Sequence, residues 1–199
     1  VIAYPIEKAD VDGNQLINWL CEFYCSSQNG EGDWGKPGEL KDFIWSCDEM
    51  NFNWLDIPAM IKRAEFIFEY PMVDRNPLAK WTKGRVTLLG DAAHPMYPRG
   101  SNGAGQAILD AVELAKRLSS KVLHKEALEL YEQERRPKTT EVVHANRTVP
   151  PDAILKEVYD RTGDKPFDEI EDIIKRDELE LIANNYKTIA GFDRTSLET

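Results

Sequence analysis

The stretch Gly84-Arg-Val-Thr-Leu-Leu-Gly-Asp-Ala-Ala-His-Pro-Met-Tyr-Pro-Arg-Gly-Ser-Asn-Gly-Ala-Gly-Gln-Ala-Ile-Leu-Asp110 decides how this chain is read. Val86, Leu88 and Leu89 form a short apolar run that predicts a buried strand ending at Gly90-Asp91. Pro95, Pro98, Gly100 and Gly103 then follow too densely for any regular element. From Ala104 onward, Ala107, Ile108, Ala111, Val112, Ala115 and Leu118 recur at helical spacing. A helix N-terminus presents unpaired N–H groups and a partial positive charge. Gly100, Gly103 and Gly105 let a flat or anionic ligand approach that backbone. Asp91, at the strand's end, is placed to accept hydrogen bonds from sugar-like hydroxyls. A simpler reading has Ser101 or Asn102 capping the helix and the glycines forming turns. Spacing alone leaves both open.

Composition narrows the partners. The 199 residues allow one or two domains. A net charge of −10 argues against nucleic acid as a partner. From Asp152 onward there are 13 acidic against 7 basic residues, the signature of a solvated helical face. The sequence has no signal peptide and no apolar run long enough for a membrane span, so a cytoplasmic protein is expected. Cys21, Cys25 and Cys47 are an odd set without metal-ligand spacing and read as spare core thiols in a reducing compartment. The histidines His94, His124 and His144 are scattered, with no metal or triad arrangement.

Outside the decisive stretch, residues 1–6 and 15–24 read as strands joined by a polar turn at Asp12-Gly13. Residues 26–38 read as a Gly-rich loop. Short helices are expected over 39–47 and 58–64, the second with Pro58 in its first turn. Residues 66–72 read as a strand with Phe66, Phe68 and Tyr70 on one face, a stripe that suits a core better than a ligand wall. Two helical stretches, 126–136 and 139–147, are expected either side of a break at Pro137, with Glu132, Glu134, Arg135 and Arg136 in surface ion pairs. After Pro150-Pro151, the groups Ile154, Leu155, Val158, Tyr159 and Ile170, Ile173, Ile174 suggest two amphipathic helices. These could dock on the body of the protein or on a second copy in a homodimer.

At Gly90-Asp91, six residues, Pro98, the chain resembles the second flavin-binding fingerprint of the FAD-dependent aromatic hydroxylases, the single-component flavoprotein monooxygenases. Gly-Asp-Ala-Ala-His at 90–94 is the common form of that motif. Tyr70 to Arg75, Pro77-Leu78, Trp81, Met96-Tyr97-Pro98 and Asn102-Gly103-Ala104 are similar to phenazine hydroxylases, as are the opening residues 2–6 and Asn18-Trp19. Salicylate-type hydroxylases share the scaffold. The resemblance covers about residues 1–147.

The resemblance implies an α/β (α+β) fragment: part of a substrate-binding sheet domain over 1–75, part of a Rossmann-like FAD-binding domain over 76–149, and a C-terminal helical segment over 150–199. It implies FAD as cofactor and NADH or NADPH as reductant. O2 and a small aromatic or N-heteroaromatic carboxylate are the expected substrates, hydroxylated through a flavin C4a-hydroperoxide. It places Asp91 on the ribityl or ribose portion of FAD and Pro98 beside the isoalloxazine ring. Gly90 forms the turn, and the backbone from Gly100 through Ser101, Asn102, Gly103 and Ala104 faces the N1–C2=O edge. Tyr70, next to the Pro71 turn, and Pro98 are the candidate substrate contacts. No catalytic acid or base and no metal ligand is assigned, and His94 is expected to pack or hydrogen-bond structurally.

The family's strand–Gly-x-Gly-x-x-Gly–helix unit, which receives the pyrophosphate, is not read in the sequence; the glycines at 30, 32 and 35 fall within the loop expected over 26–38. The expectation is therefore a C-terminal portion of a larger hydroxylase, inactive alone and weak or silent towards FAD without the N-terminal half. Two alternatives stay open: another flavoprotein on this scaffold, such as an epoxidase or decarboxylating hydroxylase, or a catalytically silent folding or interaction module.

Overall fold

The computed structural model describes residues 1–23, 35–120 and 122–192. Tyr24, Cys25, most of the loop expected over 26–38 and the last residues of the acidic tail lie outside them. The chain divides into two compact units, Val1–Pro71 and Met72–Thr199.

In the first unit, β1 (Ile2–Pro5) pairs antiparallel with β2 (Ile17–Leu20), Ile2 opposite Leu20 and Pro5 opposite Ile17. The Asp10 carboxylate closes the connection by accepting the N–H groups of Asp12 at 2.9 Å and Asn14 at 2.8 Å, while Gly13 takes φ +83°. The turn is therefore an Asx-type loop rather than a two-residue hairpin at Asp12-Gly13. β3 (Lys36–Pro37) precedes α1 (Leu40–Phe43), which tightens into a 3₁₀ turn over Ile44–Ser46. β4 (Asn51–Phe52) and β5 (Leu55–Asp56) form a two-residue ladder leading into α2 (Ile57–Lys62). The Asp56 side chain caps α2 by accepting from the Ala59 N–H at 2.8 Å, with Pro58 in the first turn as expected. Phe43, Cys47, Ile57 and Ile61 are the buried core, with Trp19 and Cys21 packed against it.

Only Phe68–Glu69 of the strand expected over 66–72 forms, as β6, because its partner β3 offers just two residues. Phe66, Phe68 and Tyr70 are all exposed. The stripe is therefore not core, which corrects the reading from periodicity.

The second unit begins with extended chain. The backbones of Lys83 and Val86 bond to each other across a turn, at 2.8 and 3.2 Å. No strand among the described residues pairs with Thr87 to Leu89, and Val86 is exposed. The expected buried strand is thus a single extended segment, since a strand needs a neighbour to complete its ladder. Two 3₁₀ turns follow, Gly90–Ala92 and Pro98–Gly100, and then α3 (Gly103–Leu118).

α3 buries the face opposite to the one its apolar spacing predicts. Gln106 and Asp110 are buried, whereas Ile108 and Val112 are 65% and 60% exposed. α4 (His124–Thr148) runs unbroken through Pro137, where two helical stretches were expected. Proline there removes the bond to the Gln133 carbonyl, but both residues lie on the exposed face, where water can satisfy it. The buried line Tyr131, Arg135, Thr139, Val142 and Asn146 continues across the proline and anchors the helix on both sides of it. α5 (Ala153–Thr162) and α6 (Ile170–Ile173) match the two expected amphipathic groups, and α7 (Arg176–Ala190) is an additional helix packed on α4. Among the described residues no helix is long and apolar enough to cross a membrane.

Candidate functional site

The turn into Asp91 requires glycine for two reasons. Gly90 takes φ +58°, and a Cβ there would lie 3.2 Å from the Ala107 Cβ on α3. Its carbonyl accepts the N–H groups of Ala93 at 2.8 Å and His94 at 2.9 Å, and its own N–H donates to Asp110 Oδ2 at 3.0 Å.

Asp110 is fully buried and holds the centre of a charged network. His94 Nε2 bonds the same Oδ2 at 2.6 Å, and Arg135 Nε donates to Oδ1 at 2.7 Å. Arg135 Nη2 also donates to Gln106 Oε1 at 2.7 Å. Burial works to raise the Asp110 carboxyl, but the bonds from His94, Arg135 and the Gly90 N–H outweigh it and hold it below its ordinary value. An ionised carboxylate only accepts, so His94 Nε2 carries the proton in this bond. The His94 ring packs beside Trp81, with centroids 5.6 Å apart, and has the structural role expected of it.

Two of the four residues expected in surface ion pairs, Glu132 and Arg135, are therefore buried instead. Arg135 serves Asp110, and Glu132 accepts the Thr82 N–H at 2.7 Å. Tyr131 packs on Trp81 and donates to the Leu88 carbonyl at 3.2 Å, tying α4 to the extended segment before Gly90. A polar stripe Asn102-Gln106-Asp110 at i, i+4 spacing, facing an arginine on α4, is the signal that could have located this network.

The head of α3 is open. Ser101 turns left-handed at φ 49°, and Asn102, at the N-cap position, makes no side-chain cap. By helix geometry the N–H groups of Gly103, Ala104 and Gly105 have no intrahelical partner. The capping reading of Ser101 and Asn102 does not hold. Asp91, Pro98, Ser101 and Ala104 are exposed around this helix end. A Cβ on Gly103 would have nothing closer than the Asp91 Oδ1 at 3.9 Å, so the carboxylate and the helix N-terminus border the same space. A polar group of negative character with hydroxyls alongside fits such a cradle.

Two of the glycines answer to a different demand. A Cβ on Gly100 would meet the Tyr186 hydroxyl at 1.6 Å, and one on Gly105 would meet Phe192 Cζ at 2.7 Å. Their missing side chains make room for α7 and for Phe192 two residues beyond it. The Asn102 side chain donates to the Tyr186 hydroxyl at 2.7 Å, and that hydroxyl donates to Asn146 Oδ1 at 2.5 Å. Asn146 Nδ2 in turn donates to the Tyr97 carbonyl at 3.0 Å, and Gln106 Nε2 to the Ala190 carbonyl at 2.7 Å. The loop between the two 3₁₀ turns and α3 is thus clasped by α4 and α7. Burial pushes the Tyr186 hydroxyl up to about 12. Tyr70, the weaker candidate, belongs to the first unit and is exposed.

Similar sequences and folds occur among known proteins. Residues 68–146 match the family described as FAD binding domain. The chain is 50% identical over 150 residues to the phenazine 1,6-dicarboxylic acid hydroxylase PhzS of Lysobacter antibioticus, covering 74% of this chain and 37% of that protein. It is 38% identical over 88 residues to the 6-hydroxynicotinate 3-monooxygenase of Bordetella bronchiseptica, covering 43% of this chain and 23% of that protein. The chain thus spans less than two fifths of the length of the curated relatives it matches here. The solved structure of FqzB shares the fold, with a TM-score of 0.50 at 24% identity over 85% of this chain and 42% of that one. The resemblance to FAD-dependent aromatic hydroxylases is borne out by these relatives.

Proposed function

We propose that residues 90–105 form the flavin-ring end of an FAD site in an NAD(P)H-using monooxygenase that hydroxylates an aromatic or N-heteroaromatic carboxylate. The observation that carries this reading is the uncapped head of α3 beside the exposed Asp91 carboxylate. Asp91 accepts hydrogen bonds from the ribityl or ribose hydroxyls. Pro98 lies beside the ring, and the backbone N–H groups from Gly100 to Ala104 face its polar edge. A helix N-terminus stabilises nearby negative charge by roughly 0.3–2 kcal/mol, which favours an anionic group there. FAD, when bound, supplies the redox and oxygen-activating chemistry. The protein's part is to hold the ring and keep water from it. Within this reading residues 1–75 contribute to the substrate domain, 76–149 to the FAD domain and 150–199 form the C-terminal helical segment, with Tyr70 and Pro98 on the substrate side. That the relatives' names include a phenazine dicarboxylic acid and a hydroxynicotinate supports an aromatic acid as substrate.

A titration of FAD fluorescence with the purified chain tests this. No strand–Gly-x-Gly-x-x-Gly–helix unit for the pyrophosphate is read in the sequence, so the expected affinity is weak. Saturable quenching that Asp91→Ala weakens by roughly tenfold or more supports the site, a hydrogen bond to a charged group being worth about 1.5–3 kcal/mol. Saturable quenching that Asp91→Ala leaves unchanged contradicts it.

A further inference from the structure

Cys21 and Cys47 lie on different elements of the first unit, yet their sulfurs are 3.5 Å apart. Cys47 closes the 3₁₀ turn after α1 and is fully buried in the core with Phe43, Ile57 and Ile61. Cys21 follows β2 directly and is half-buried, so it is the more exposed residue of the pair. Ser46 Oγ stands 3.7 Å from the Cys21 sulfur and 3.5 Å from that of Cys47, while donating its own proton to the Phe43 carbonyl at 2.7 Å. The two cysteines are 26 positions apart in sequence, and both are free.

We propose that Cys21 and Cys47 form a redox modification site that a hydroperoxide, hydrogen peroxide in the simplest case, converts to an intramolecular disulfide. The Cys21 thiolate attacks one peroxide oxygen. An S–O bond forms, the O–O bond breaks, the sulfur is oxidised by two electrons and hydroxide leaves. The Cys47 sulfur, losing its proton to that hydroxide, then attacks the Cys21 sulfur. The S–S bond forms, the S–O bond breaks, and the departing hydroxide takes up a proton as water. Two thiols and one peroxide thus yield one disulfide and two waters.

The geometry assigns the roles. Cys21, the more exposed of the two, is the one that peroxide oxidises, and Cys47 resolves it from the core side. Thiols already in contact have only to draw together to the about 2.0 Å of a disulfide. The bond would fasten the β1–β2 hairpin to the helical core, to which Trp19 and Cys21 are otherwise joined by packing. Burial pushes the Cys21 thiol above its ordinary value, so the reaction is slow at neutral pH and quickens as pH rises.

The test uses the whole chain. Reduced protein is treated with hydrogen peroxide, blocked with an alkylating agent and digested without reduction by a protease that cuts after glutamate. Cleavage at Glu7, Glu22, Glu31, Glu39 and Glu49 places Cys21, Cys25 and Cys47 on three separate peptides. The expected product joins residues 8–22 to residues 40–49, two hydrogens lighter than their sum, forms faster at higher pH and separates on reduction. In Cys47→Ser, Cys21 should stop at the sulfenic acid and be trapped by dimedone. A link involving the Cys25 peptide, a disulfide between two chains, independent over-oxidation, or thiols that survive peroxide would each overturn the proposal.

Discussion

Asp110 is the residue on which the second unit depends most. It binds His94, Arg135 and the Gly90 N–H from full burial. Asp110→Ala leaves the buried Arg135 without its counter-charge and should cost about 3–5 kcal/mol in urea unfolding. A loss under about 1 kcal/mol would place the network outside the stability of the fold. Because the folded carboxyl is held below its ordinary value, its contribution is complete above the unfolded value and is lost as pH falls through the folded one. The acid limb of stability against pH should therefore flatten in Asp110→Asn relative to the parent. An unchanged limb would contradict the ionised assignment. Tyr186 is the second such residue. Tyr186→Phe strands Asn102 and Asn146 and should cost about 1–3 kcal/mol, read by the same unfolding measurement.

At the scale of elements, α3 and α4 show what periodicity can and cannot reveal. The spacing of Ile108, Val112 and Leu118 located α3 correctly along the chain, but the stripe they form is exposed. The interior is set by α4, whose Arg135 demands Asp110 and Gln106 opposite it. A helix pattern identifies a face; a partner decides which face is buried. Ile108→Ser and Val112→Lys should each shift stability by no more than about 0.5 kcal/mol, the range for surface positions. A loss of several kcal/mol would show that the stripe is covered. Pro137 misled in a similar way. Proline stops a helix when its lost bond is buried, and here it faces solvent along a helix fixed by its other side. Pro137→Ala restores one N–H and should raise the melting temperature; a fall would mean the proline conformation is itself required.

At the scale of the whole molecule, the sequence revealed the turn proposed as the site better than the scaffold around it. Gly90-Asp91 and Pro98 were recognisable because the turn is local: a positive φ, a close approach to α3 and an open helix end are each written in neighbouring residues. The clasp of α7 on Gly100 and Gly105 was not, since it joins residues 84 apart in sequence through side chains that periodicity does not mark. The acidic tail read as a solvated face, yet Tyr186 and Ala190 on its last helix, and Phe192 beyond it, pack against the turn that carries the proposed site. The extended segment before Gly90 had the composition of a strand, but the described residues supply it no neighbour.

Amide NMR of the chain during titration with FAD tests the central claim most directly, because it registers even weak binding and locates it. The account predicts shifts concentrated on Gly90-Asp91 and on Gly100 to Gly105, with the amides of the first unit's core unmoved. Shifts that bypass the head of α3, or that survive Asp91→Ala unchanged, would contradict it.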